Sequence, residues 1–75
     1  MNLLREVRES RRLPSPEDAR AIRERAGVSQ IRLAEELGVH RITVGRWESG
    51  VREPRGALRT AYTRLLLRLV AEVGE

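Results

Sequence analysis

The sequence predicts an all-α fold, a compact bundle of about four to five helices, on three observations. Two segments open with helix start signals, Ser15-Pro16-Glu17-Asp18 and Ser29-Gln30. The run from Gln30 to Glu48 carries two narrow apolar stripes at helical spacing, with Gly38 between them. From Ala57 no breaker occurs until Gly74, and apolar residues recur there at i, i+3, i+4 and i+7. Nothing alternates with the period of two that a half-buried strand requires.

Taken in order, residues 2–12 carry Leu3, Leu4 and Val7 among alternating Arg and Glu, the pattern of a short amphipathic helix or a frayed arm. Residues 1–14 are therefore read as an arm or short helix, and 15–75 as the domain. The next start is stronger: Ser15 stands at the N-cap, Pro16 at the first helical position, and two acids complement the dipole. That helix should run from Pro16 to about Ala26, with Ala19, Ile22, Arg23 and Ala26 along one face and Gly27 ending it. Ser29 then caps a helix that begins at Gln30 and turns Leu33, Ala34 and Leu37 inward. Gly38 follows the last apolar residue, where the left-handed conformation costs a residue with a Cβ roughly 1 kcal/mol or more.

The next helix, residues 40–48, points Val44 and Trp47 back toward the small Ala34, which leaves Arg41, Ile42, Gly45 and Arg46 outward. Trp47 is large core mass in a chain without Phe, and Glu48 should pair with an arginine such as Arg23 or Arg25. Gly50, Pro54 and Gly56 make residues 48–56 a loop. The last helix should span 57–73 with Leu58, Ala61, Tyr62, Leu65, Leu69 and Val73 on one face. On a helical wheel the apolar side chains from Ala57 round to Leu66 cover about half the circumference. Leu67 and Val70 fall outside that arc.

Seventy-five residues suffice for one core. With no cysteine and one histidine the sequence supports neither a disulfide framework nor a metal site, and no cofactor is expected. It lacks a cysteine nucleophile, and its few Ser, Asp and His residues are accounted for as caps, first-turn acids and a helix start, so no enzyme is expected. No stretch approaches about 18 consecutive apolar residues and no signal-peptide pattern occurs, so a soluble, cytoplasmic protein is expected. The net charge is +4, with every basic residue an arginine. From Val39 to Arg68 seven arginines (41, 46, 52, 55, 59, 64, 68) face only Glu48 and Glu53, whereas the stretch from Leu13 to Gly38 has four arginines and five acids. Charge concentrated on and after one helix is the footprint expected of phosphate binding. A solvated basic surface is the alternative.

Gln30, Ala34, Gly38, Val44 and Trp47 match the spacing of the Cro-like or Xre-type helix-turn-helix family of phage repressors and bacterial regulators, which the segment resembles. The exit Glu48-Ser49-Gly50-Val51-Arg52-Glu53-Pro54 is similar to that family's, so the likeness runs from about Ser15 to Pro54. It implies a bundle of the lambda-repressor-like type and a sequence-specific double-stranded DNA-binding transcriptional regulator, a Cro-like repressor, with residues 40–48 in the major groove. Residues in the positions of Arg41, Ile42, Gly45 and Arg46 reach base edges in such proteins. Arg can pair with guanine O6 and N7, and Ile42 can meet a thymine methyl. For the arginines, phosphate contact alone remains the alternative.

Backbone contact is implied for Ser29 and Gln30 at a helix N-terminus, for His40 and Thr43, and for Arg52 and Arg55 in the exit loop. The mid-helix Gly45 either permits close approach to the groove floor or faces solvent and tolerates the propensity loss. A DNA operator is the implied partner. A homodimer on DNA is also expected, with Leu67 and Val70 as its contact, because two-fold related units read half-sites about 34 Å apart. Two other functions stay open: an antitoxin-type interaction module that binds a toxin and autoregulates its promoter, and a phage accessory protein that bends DNA.

Overall fold

Ser15 caps α1 (Pro16–Arg25): its Oγ accepts the Asp18 amide N–H at 3.1 Å, and Pro16 sits in the first turn, where an amide would go unbonded. Ser29 repeats the device for α2 (Gln30–Leu37), accepting the Arg32 N–H at 3.0 Å. Gly38 then takes φ 70° and ψ 30°, and its N–H returns to the Ala34 and Glu35 carbonyls. That left-handed residue closes α2 and starts the turn into α3 (Arg41–Ser49). A longer helix, α4 (Gly56–Val73), completes the order. The computed structural model describes residues 12–73, and among them are these four helices and no strand. Most of the arm or helix expected over residues 1–14 lies outside the described residues.

α3 packs on both α2 and α1, while α4 lies chiefly along α1 with a lighter contact to α2. The shared core is Ala19, Leu33, Ala34, Val44, Trp47, Tyr62 and Leu66, flanked by partly buried Leu13, Ile22, Val28, Leu37, Val39, Leu65 and Leu69. Ala34 and Val44 are both buried, as a close crossing of α2 and α3 requires. Trp47 packs on Tyr62 with ring centroids 4.8 Å apart and planes tilted by 38°, which ties α3 to α4. A tilted pair of this kind contributes about 0.5–1.5 kcal/mol beyond its area burial.

The apolar stripe of α4 is rotated from the expected one. Tyr62 and Leu66 are buried and Leu65 and Leu69 partly so, but Leu58 and Ala61 are exposed while Thr63 is buried. Thr63 can be buried because its hydroxyl donates to the Arg59 carbonyl at 2.7 Å, leaving no unpaired polar atom. Leu58 sits in the first turn, beside Val51, Arg52 and Arg55 of the loop, where no helix covers it. Leu67 is partly buried and shares a groove with Leu13, whereas Val70 is exposed.

Candidate nucleic-acid interface

α3 begins one residue later than expected, because His40 is its cap. The imidazole Nδ1 accepts the Ile42 N–H at 3.1 Å. That bond uses the Nδ1 lone pair, so the neutral ring carries its proton on Nε2 and can still donate outward. A phosphate contact by His40 therefore does not require a protonated ring. Beyond the cap the helix divides sharply. Val44, Trp47 and Glu48 are buried, whereas Arg41, Ile42 and Arg46 are exposed and Thr43 and Gly45 are half-buried. Ile42 is 48% exposed, a large apolar side chain with no partner in the core. A Cβ added at Gly45 would meet only the Gln30 amide, at 3.8 and 3.9 Å, which is ordinary contact. Nothing inside the protein thus requires glycine there.

Behind this face lies an ion pair. Arg23 donates Nε to Glu48 Oε2 at 2.6 Å, Nη2 to Glu48 Oε1 at 3.0 Å, and Nη1 to the Val28 carbonyl at 2.8 Å. Both side chains are almost fully buried. The hydrogen bonds that Arg23 donates to Glu48 raise its pKa, outweighing the opposing effect of burial. Of the two arginines expected to meet Glu48, helical phase selects Arg23, on the Ala19 face of α1. Because Arg23 neutralises Glu48 internally, the exposed charges from residue 39 to 55 are Arg41, Arg46, Arg52 and Arg55 against Glu53 alone. Arg20 and Arg32 are instead paired within their own helices, with Glu24 and Glu36.

Ser29 is exposed at the start of α2, its oxygen accepting while its hydroxyl proton stays available. Gln30 is half-buried, and the structure gives it an internal role that its sequence position concealed. Its Nε2 donates to Glu48 Oε1 at 3.0 Å and its Oε1 accepts from Arg41 Nη1 at 3.4 Å. Arg52 and Arg55 are exposed and border one groove of the exit loop with Val51 and Leu58. Val51, 70% exposed, went unremarked in the sequence because a single valine in a loop carries no periodicity. The structure brings Gln30, His40, Arg41, Ile42 and Gly45 to the α2–α3 corner. Arg59, Arg64 and Arg68 belong to α4, where Arg59 and Arg64 border a groove with Leu13, and Arg64 and Arg68 border another with Glu36 and Leu37.

Tyr62, beside this pair, makes a separate prediction. Its hydroxyl is buried without a partner among the described residues. Burial pushes its pKa up to about 12, with the charge of Glu48 adding and that of Arg23 opposing. An unfolded tyrosine ionises near pH 10, so the unfolded state releases its proton first. This contribution to stability is complete below about pH 10 and is lost as pH rises from about 10 to 12. Tyr62 is the chain's single tyrosine, so phenolate absorbance isolates it. Phenolate should form only well above pH 10, together with unfolding. Tyr62→Phe should keep or raise the melting temperature at pH 7, since it removes an unsatisfied buried hydroxyl.

Two short helices joined through a left-handed glycine, the second with one face in the core and an arginine-bearing face in solvent, form a helix-turn-helix of the DNA-binding class. Residues 20–58, more than half of the chain, match the family model described as helix-turn-helix. The chain belongs to that family, the Xre/Cro-like helix-turn-helix proteins, whose domains are DNA-binding transcription regulators. Comparison with curated proteins and with solved structures gave no significant match. No helix among the described residues is long and apolar enough to cross a membrane.

Proposed function

We propose that this protein is a sequence-specific duplex-DNA-binding regulator that acts as a Cro-like repressor, occupying an operator with α3 in the major groove. The division of α3 carries the proposal: Val44, Trp47 and Glu48 are consumed by the core, while Arg41, Ile42 and Arg46 are exposed, and the one contact of Arg41 within the protein, to Gln30, leaves most of its donors free. Arg41 and Arg46 suit guanine edges and Ile42 a thymine methyl. Ser29, His40, Thr43, Arg52 and Arg55 surround that face as phosphate ligands, and Gln30 has a second amide proton free for the same use. Two copies would meet through α4, with Val70 exposed and Leu67 at the edge of the contact, to read half-sites about one helical turn apart.

Selection of bound sites from a random duplex library, at two salt concentrations, tests this. An enriched inverted repeat with a guanine in each half-site is the expected result. Binding without an enriched motif, collapsing as salt rises, would reduce the basic face to a phosphate holder. Gly45 supplies a second check. Gly45→Ala should stabilise the free protein by about 0.5–1 kcal/mol through helix propensity. It should also weaken operator binding, because the added methyl stands between α3 and the groove floor. Thermal melting and equilibrium binding on the same sample read the two opposed changes, and unchanged affinity would remove the close approach.

A further inference from the structure

One flank of α4 carries a row that the core does not use. Thr63, Leu67 and Val70 recur at i, i+4 and i+7, so they share a helical face. Val70 is 43% exposed, and neither it nor Leu67 belongs to the core cluster or to the side chains packed against it. From outside the helix Leu13 reaches this row, lining one groove with Arg59, Thr63, Arg64 and Leu67. Leu13 follows Arg12, the first described residue, so residues 2–11 join the structure at this groove. Those residues carry a complementary stripe, with Leu3, Leu4 and Val7 at i, i+1 and i+4 among Arg and Glu. As a helix they would measure about 15 Å, enough to lie along the row from Thr63 to Val70, which spans about 10 Å. A helix this short is marginal in water and needs an apolar face to lie on. The tether decides which face it meets first. A segment joined directly to Leu13 meets the groove at an effective concentration in the millimolar range, well above that of a second copy at micromolar concentration.

We propose that residues 2–11 dock along the Leu67–Val70 row of their own molecule, with Leu3, Leu4 and Val7 against it. The docked segment covers the surface of α4 that a second copy would use, so self-association requires its release. This competition rests on the α4 contact proposed above, whereas the docking itself does not. At an operator two copies are held side by side, and the second copy then has the same advantage of proximity as the tethered segment. The chain is monomeric when free and pairs on DNA.

The sequence has no cysteine, so one introduced thiol reports one position. Val70→Cys in the full chain, at sub-micromolar concentration, is alkylated with N-ethylmaleimide in the parent background and with Leu3→Asp and Leu4→Asp together. Release of the segment should speed alkylation about tenfold. Val51→Cys, in the exit loop, should react at one rate in both backgrounds. Sedimentation equilibrium of the Leu3→Asp/Leu4→Asp chain, with Val70 in place, should show self-association at about tenfold lower concentration than the parent. Equal alkylation rates at position 70 in the two backgrounds would overturn the docking. Slow alkylation of the parent that speeds up on dilution would overturn it too, because a second copy would then be the cover. Faster alkylation with no gain in self-association would support the docking and overturn the α4 contact between copies.

Discussion

Glu48→Ala is expected to destabilise the protein by about 3–5 kcal/mol, the range for removing one partner of a buried ion pair. The substitution leaves the Arg23 guanidinium buried with the Val28 carbonyl as its remaining partner. Arginine cannot escape by losing its proton, so the charge must be hydrated or the packing of α1 on α3 must open. A domain of this size has only about 4–11 kcal/mol in hand, and the loss corresponds to a fall in melting temperature of roughly 12–40 °C. Replacing both partners together, with Arg23→Met and Glu48→Leu, should recover most of the loss, because no unpaired charge remains. Thermal and urea denaturation followed by circular dichroism read both variants. Stability within about 1 kcal/mol of the parent in Glu48→Ala would mean that the pair is solvated rather than interior.

The largest expected effect on DNA binding comes from Arg41→Ala. If Arg41 pairs two donors with a guanine, its loss costs about 1–3 kcal/mol, a fall of about 5- to 150-fold on the selected site. The same variant should lose little on a site where that guanine is already replaced, so the sequence preference at one position disappears. Arg52→Ala provides the contrast. As a phosphate ligand it should weaken every duplex by a similar factor and reduce the slope of log affinity against log salt by about one. Equilibrium binding at several salt concentrations separates the two patterns. Uniform weakening by Arg41→Ala would make it a phosphate contact like Arg52.

The path to these residues was largely local. Ser15-Pro16 and Ser29 announce two helix starts through their own chemistry, and both cap as expected. The small Ala34, the left-handed Gly38 and the inward Val44 specify a close helical corner, since each is a requirement of one backbone geometry. The candidate site followed, because whatever that corner does not bury from α3 must face outward.

Packing decided the remainder. An apolar arc covering half of α4 is compatible with more than one rotation, and contact with α1 and α2 chose the one that buries Tyr62 and Leu66 and exposes Leu58 and Ala61. Burial of Thr63 depends on a bond to a carbonyl one turn back, which composition does not reveal. The pairing of Gln30 with Glu48 across 18 residues has no periodic signature. Helix starts, the glycine turn and the apolar phase of α2 and α3 were written in the sequence, because backbone preference and capping act over a few residues. The rotation of α4, the choice of Arg23 over Arg25 and the direction of the Gln30 amide needed the tertiary structure, because each depends on which atoms of distant segments arrive within hydrogen-bonding or van der Waals reach.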